Sequence, residues 1–516
     1  MRALASSVSS ASARRWGLAA FCAPLGLMVF PAYAQQAVSF SSNLRVTETV
    51  SDNARLTAGG GSGTEWITQV SPSALLSARG GRVNGELSLG LISSYYANGT
   101  APDNSRLTLG GSGRVTAWEN HAYVDLSGSI SRQPTFAFGA QSADTATGSG
   151  NLSDVRVFSI RPTLQGRFGS TGTLEARYSY SETDSSGGAI SRMPSSSWTL
   201  TAADPRFSSH LGWNLTHRES QSDSAGRSLE QQSTRFTGTV VITPQLNFRL
   251  SAGSESNNFS QSRNRTTTNY GIGADWRPSP LTQVSATVDE RFFGTGYSLS
   301  GNTRGGNVTF QGSYGKDVSS TSQTVLGAVT LYDLLMMQYA SKYPDVAERS
   351  AFVRQLLNSA QPGIGGAVIG AQTVMTNGYF LDRRMQLGMT VTGVRNSLSF
   401  IGFTSDRSTL TDAFALTGNL STSSSVSTRG ATLSLNHRLT PITSATVGLS
   451  ALRSRADQQA GAGGGSLENN TRIVSAGLTT SVNAKTTASL NARQNTGSGT
   501  SSYSERALIG SVAIQF

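Results

Sequence analysis

The chain has 516 residues, 56 of them glycine, with only 14% charged residues and a formal net charge of +11. Its one cysteine, Cys22, rules out an intramolecular disulfide framework. Mean hydropathy is −0.21, and nothing past residue 34 is long and apolar enough for a spanning helix, so any membrane crossing has to be made of strands.

Arg2, Arg14 and Arg15 precede an apolar run over residues 16–30, and Ala32-Tyr33-Ala34 supplies small residues for cleavage. This pattern predicts a secretory signal over residues 1–34, cut before Gln35. Cys22 follows Phe21 rather than a small residue, which argues against lipidation. Beyond the signal the lysines are Lys316, Lys342 and Lys485, so the cations are almost all arginine. Such a balance can mean nucleic acid, but export points to anionic lipid or an anionic polymer. The plainer alternative is that the arginines solvate loops and a polar lumen.

From Val38 onward one theme repeats: apolar and polar residues alternate, then the chain turns, and the turns are alternately short and long. Trp66, Thr68, Val70, Pro72, Ala74, Leu76 and Ala78 share a face before the turn Arg79-Gly80-Gly81-Arg82. Val83, Gly85, Leu87, Leu89 and Leu91 follow, and Tyr95-Tyr96 leads into a longer loop over 97–104. The next strand descends from Leu107 to the tight turn Trp118-Glu119-Asn120, and Ala122 to Ile130 climbs back to a long loop ending near Asn151. Short turns recur at Gly169-Ser170-Thr171, Asp204-Pro205-Arg206, Thr243-Pro244-Gln245, Arg277-Pro278-Ser279-Pro280, Val394-Arg395-Asn396, Thr440-Pro441-Ile442 and Asn483-Ala484-Lys485. Long loops are expected over 220–231, 257–265, 408–424 and 456–469.

This segmentation gives an all-β fold: a transmembrane antiparallel β-barrel of about 22 strands over residues 35–516. The segments near Trp198 and Tyr297 are weak, which leaves about 20 strands as the alternative. Aromatics gather at segment ends, as two interfacial girdles would: Trp118, Phe168, Phe207, Trp276 and Phe516 on one side, Tyr95, Tyr178, Tyr180 and Phe292 on the other. One interruption breaks the theme. Leu331, Leu334, Leu335 and Gln338, then Phe352, Leu356 and Leu357, follow helical spacing on either side of Pro344-Asp345. They predict a helical insert over about 329–360 in a long loop, which caps the mouth, fills the lumen or grips a partner.

Residues 503–516 close the chain. Leu508, Gly510, Val512, Ile514 and Phe516 share one face, and Ile509, Ser511, Ala513 and Gln515 the other. The terminal Phe516 resembles the C-terminal signal that the barrel-insertion machinery of bacterial outer membranes reads. The strand is expected to pair back to the first, near 44–50, leaving no edge.

With the apolar face on lipid, Arg114, Arg161, Arg167, Arg177, Arg235, Arg249, Arg438 and Arg493 point into the lumen with Glu86, Asp125, Glu175 and Asp275. Such an interior either favours a polyanion or ties itself up in internal ion pairs. The histidines, His121, His210, His217 and His437, sit in no nucleophile or metal-ligand pattern, so no catalytic, cofactor or metal site is expected.

Glu48-Thr49-Val50-Ser51-Asp52 superficially resembles the energy-coupling box of TonB-dependent transporters, whose barrels carry a globular plug before the first strand. Here strand patterning begins directly after the expected signal, which argues against that function. A different family fits better. Residues 44–53 (Leu-Arg-Val-Thr-Glu-Thr-Val-Ser-Asp-Asn), Glu65-Trp66-Ile67-Thr68-Gln69-Val70-Ser71-Pro72, Arg79-Gly80-Gly81-Arg82, Phe380-Leu381-Asp382-Arg383-Arg384 and residues 392–398, together with the expected insert, resemble the PEP-CTERM-system-associated outer-membrane proteins. That resemblance covers essentially the whole chain past the signal. It implies a Gram-negative outer-membrane barrel linked to exopolysaccharide production and protein sorting, and it brings no site residues. The expected partners are outer-membrane lipid, the insertion machinery, and an anionic exopolysaccharide or export components. Nucleic acid is not among them. A structural envelope protein acting through its loops, or a general diffusion porin, are the alternative functions.

Overall fold

The computed structural model describes residues 37–516 apart from 60–62, 135, 137, 145, 148–149, 187–191, 225–226, 260–264, most of 321–378, 412–422 and 459–465. The expected signal, residues 1–34, lies outside the described residues.

The strands run β1 (Ala37–Ser51), β2 (Glu65–Arg79), β3 (Val83–Tyr96), β4 (Asn104–Trp118), β5 (Ala122–Pro134), β6 (Leu152–Phe168), β7 (Gly172–Ser185), β8 (Met193–Asp204), β9 (Leu211–Ser224), β10 (Arg227–Thr243) and β11 (Leu246–Asn257). They continue as β12 (Arg265–Ser279), β13 (Thr282–Arg291), β14 (Gly294–Gly305), β15 (Val308–Ser320), β16 (Tyr379–Thr392), β17 (Asn396–Thr409), β18 (Ser423–Arg438), β19 (Thr443–Gln458), β20 (Ser466–Ser481), β21 (Thr486–Gly499) and β22 (Tyr503–Gln515). Each pairs antiparallel with the next in sequence, and β1 pairs with β22 from Asn43↔Gln515 to Ser51↔Ala507. The sheet is therefore a closed 22-stranded barrel. Closure matters because a polar sheet of this size would otherwise expose two unpaired edges. The weak segments are real strands, β8 around Trp198 and β14 around Tyr297.

Alternation sorts the side chains. Val46, Leu76, Leu89, Leu164, Leu250, Ile272, Leu299, Leu449, Leu490, Leu508 and Val512 are all exposed on the outer surface. In β22 the opposite face, Tyr503, Glu505, Ala507, Ile509, Ser511 and Ala513, is buried inside. Exposed leucines beside buried glutamate invert the order of a water-soluble fold and match a barrel whose outer solvent is hydrocarbon. Trp118, Trp276 and Phe516 ring the short-turn end and Tyr95 and Tyr270 the other, all exposed. The Phe516 amide donates to the carbonyl of Ser42 at 2.9 Å, which fixes the terminal ring at the seam while leaving it outside.

Two expectations change. The loop expected over 220–231 is instead a continuous hairpin: β9 and β10 pair through Gln231↔Ser220 and Glu230↔Gln221 to Arg227↔Ser224. The segment lacks apolar alternation because Leu229 is its one large apolar side chain, fully buried against Phe259 and Tyr379. The chain at 277–279 likewise stays in β12, with a register irregularity between Trp276 and Ser279 accommodating Pro278.

Most of the expected insert over 329–360 lies outside the described residues. Of those described, Met336, Arg349 and Val353 are helical, and the Tyr343 amide donates to the Tyr339 carbonyl at 2.9 Å. Burial pushes the Tyr339 hydroxyl above its ordinary pKa, against the opposing charge of Arg438.

Candidate functional site

The inner wall has two halves of different character. Along β21, β22 and β1–β3 it is covered. The connection between β5 and β6, the third long loop, folds inward and docks there. Its anchor is Asp144, whose Oδ2 lies 2.6 Å from Arg493 Nη1, while Arg493 Nη2 lies 2.9 Å from Glu505 Oε1. Ser51 Oγ donates to the same Glu505 oxygen at 3.2 Å. The other Asp144 oxygen accepts from the backbone amides of Ala146 and Thr147 at 2.8 and 2.9 Å. Burial alone would push the Asp144 carboxyl up, but the Arg493 charge and the Thr147 amide hold it below the usual carboxylate range.

Wall side chains reach the loop's backbone as well. Tyr503 Oη and Asn495 Nδ2 both donate to the Gln141 carbonyl at 2.9 Å, and Tyr96 Oη donates to the Ala146 carbonyl at 2.9 Å. A loop lying inside a barrel has to satisfy its backbone groups in this way, since water is partly excluded. Phe138 is fully buried in one apolar cluster with Phe380 of β16, Val426 of β18 and Ala456 of β19. The loop thus reaches from β5 and β6 to strands on the far side of the ring.

Every sequence-predicted lumen residue faces inward, because each lies at odd spacing from an exposed apolar neighbour on its strand. Five of the eight arginines are tied to carboxylates among the described residues. Arg114 binds Asp125 through two contacts of 2.7 and 3.1 Å and lies 4.1 Å over the Tyr123 ring. Arg177 pairs with Glu175 at 2.8 Å, Arg235 with Asp289 at 2.8 Å and Arg249 with Asp275 at 3.0 Å, and Arg493 is the loop anchor. Arg161, Arg167 and Arg438 also face the lumen and form no ion pair with the described residues. Glu86 faces it from β3. Internal pairing, not a bare cationic lining, is what most of these residues do.

Sequence reasoning missed further pairs on the same wall: Arg291 with Glu255 at 2.7 Å and with Asp317, and Asp382 with Arg384 and Arg407. Inward parity on β11, β13 and β15–β17 was the available signal. Glycines make room for these pairs. A Cβ on Gly271 would fall directly on the Asp289 carboxylate, and one on Gly273 would crowd Thr287 and the Arg249 guanidinium.

Among the described residues, nothing covers the wall along β13–β16. The register places Gln283 opposite Asn302 and Asn302 opposite Gln311. One row further, Ser285 faces Ser300, Ser300 faces Ser313 and Ser313 faces Gln386. Of these, Gln283, Ser300, Asn302, Gln311, Ser313 and Gln386 line a hollow of about 240 Å³. A second hollow of about 330 Å³ adjoins it at Ser313, bordered by Asp289, Arg291, Asp317, Asp382 and Arg384. Ser300, Asn302, Gln311 and Ser313 are exposed to the lumen. Among the described residues the side chains of Gln283, Asn302, Gln311 and Gln386 form no hydrogen bond. The sequence carried no charge or motif at these positions to mark them, and only the cross-strand register brings them together.

The histidines lie away from both halves. His217 and His437 are on the outer face, where His217 Nδ1 meets Thr234 Oγ1 at 2.8 Å, and His121 stacks on Trp118 at 4.3 Å in a short turn. Among the described residues no group of three His, Cys, Asp or Glu is arranged to hold a metal ion.

No protein-family model matches the chain, and no curated protein matches it. Solved structures do. The FrpB iron transporter from Neisseria meningitidis (F5-1 variant), in its apoprotein form, superposes with a TM-score of 0.50 at 11% identity, over 92% of this chain and 81% of that one. Another structure of the same variant gives a TM-score of 0.50 at 10% identity, over 92% and 82%. The siderophore receptor PirA from Acinetobacter baumannii gives 0.49 at 9% identity, over 94% and 81%. At such identities the FrpB likeness shows the barrel fold and nothing about cargo.

Proposed function

We propose that the protein is a non-enzymatic outer-membrane barrel that gives an envelope exopolysaccharide a polar path, with a docking surface inside it, in association with the PEP-CTERM sorting system. The observation that carries this reading is the open wall of β13–β16. It is an exposed, hydroxyl- and amide-rich surface inside a barrel whose outer face is apolar. The paired charges support a path for a bulky polar polymer, because a compensated wall neither repels nor traps it. The resemblance in residues 44–53, 65–72, 79–82, 380–384 and 392–398 supports the link to exopolysaccharide.

A second reading, a structural envelope protein acting through its loops, is favoured by the third long loop, which lies across the mouth. Current through purified protein in planar bilayers separates the two. An open conductance that added exopolysaccharide blocks supports the path. An open conductance indifferent to polysaccharide points to a general diffusion porin. Silence under all voltages and salts removes both channel readings and leaves the structural one.

A further inference from the structure

We propose that the hollow lined by Gln283, Ser300, Asn302, Gln311, Ser313 and Gln386 is a binding subsite for a neutral, hydroxyl-rich saccharide segment rather than an acidic one. The proposal rests on the polysaccharide reading and narrows it to a ligand class.

Three observations carry it. First, the free groups are amides and hydroxyls. Each amide offers both a donor and an acceptor, as each sugar hydroxyl does, so either partner can take either role. Gln283, Asn302 and Gln311 stand on adjacent strands in one row, so such groups recur about every 4.8 Å. A row of that kind suits a ligand with hydroxyls in series, whereas a single small ion would use one rung.

Second, the neighbouring charges are balanced. Above the hollow, Arg235, Arg291, Arg384 and Arg407 face Asp289, Glu255, Asp317 and Asp382 within the ion pairs already described. A carboxylate or sulfate on the ligand would have to break such a pair to gain one of these four arginines. A neutral ligand leaves all of them intact.

Third, the hollow has the volume of roughly eight water molecules, enough for a ring-sized ligand to displace ordered solvent. None of the six side chains is aromatic. Without a stacking platform the subsite binds weakly, which suits a surface that a moving polymer has to leave as well as enter.

The test uses the full-length barrel in detergent micelles, with maltohexaose as the neutral probe and a galacturonic acid hexamer as the acidic one. Saturation-transfer NMR reads binding without reference to conductance. The expected result is contact with maltohexaose, weakened at least fivefold by the double substitution Asn302→Leu with Gln311→Leu, and unchanged by Arg114→Gln on a distant strand. Heat-modifiable migration on gels confirms that each variant is a folded barrel. Equal or stronger binding of the acidic hexamer, or no loss in the double variant, overturns the proposal. If exopolysaccharide blocks conductance and the double variant leaves that block unchanged, the subsite is refuted while the path stands. If the barrel is silent but maltohexaose binding still depends on Asn302 and Gln311, the subsite stands and the path fails.

Discussion

Replacing Arg493 with methionine keeps most of the side chain's length and removes the charge that holds the third long loop. In the docked state the substitution leaves two carboxylates facing an uncharged side chain: Glu505 is fully buried and the Asp144 side chain is 16% exposed. Breaking a buried pair by removing one partner costs about 3–5 kcal/mol. Undocking returns Asp144 to water, so most of that cost falls on the docked loop. At 1.4 kcal/mol per tenfold, the docked-to-undocked ratio drops roughly a hundred- to three-thousand-fold. Hydrogen exchange with mass spectrometry on peptides covering 136–151 reads this as lost protection of the Gln141, Ala146 and Thr147 amides. The sign of the pH dependence also changes. In the native chain Asp144 titrates below its ordinary value, so its contribution to docking is complete above the ordinary carboxylate pKa and is lost as pH falls through the depressed one. In Arg493→Met, burial without the guanidinium raises Asp144, so docking is weakest near neutral pH and improves on acidification. Unchanged protection in the variant, or loss on acidification in both proteins, would refute the anchoring role.

Other consequences are as specific. Deleting Phe516, or Phe516→Ala, removes the exposed ring at the seam and lowers outer-membrane levels more than any lumen arginine change, as quantitative blotting of membrane fractions would read. Tyr503→Phe removes the hydroxyl that donates to Gln141 and weakens loop docking by about 1 kcal/mol, seen in the same exchange measurement. Leu449→Arg puts a charge on the lipid face of β19 at a cost of about 2–4 kcal/mol if it lies near the bilayer midplane, measured by reversible unfolding from lipid vesicles. Gly271→Ala displaces Asp289 from Arg235, so it changes the exchange or chemical shifts of the β12–β13 pair, while Gly166→Ala, with open space at its Cβ, leaves the barrel unaffected.

The barrel itself was legible in the sequence because a membrane wall enforces a two-residue period over every strand that crosses it. Leu87, Leu89 and Leu91, or Leu508, Val512 and Ile514, announce their outer face without help from any distant residue. Strand ends that are polar on both faces escape that rule, which is why residues 220–231 read as a loop although 220–224 and 227–231 pair rung by rung. The inward direction of the arginines was also readable from parity. Their partners were not, since Arg235 of β10 meets Asp289 of β13 and Arg291 of β13 meets Glu255 of β11 across intervening strands. The third long loop looks like any polar surface loop in sequence. Its anchor joins Asp144 to Arg493 across the ring, and no local pattern reveals such a contact. The amide row is hidden for a related reason: single polar residues at inward positions look alike until the register sets three of them side by side.

The central claim, a polar path suited to a neutral polymer, is tested most directly by single-barrel current in planar bilayers under a potassium chloride gradient, with maltohexaose added to one side. The account predicts an open conductance of only weak anion selectivity, because five of the eight lumen arginines expected from the sequence are paired with carboxylates, and a stepwise reduction of current by maltohexaose that Asn302→Leu with Gln311→Leu relieves. A strongly anion-selective current unaffected by maltohexaose would contradict it.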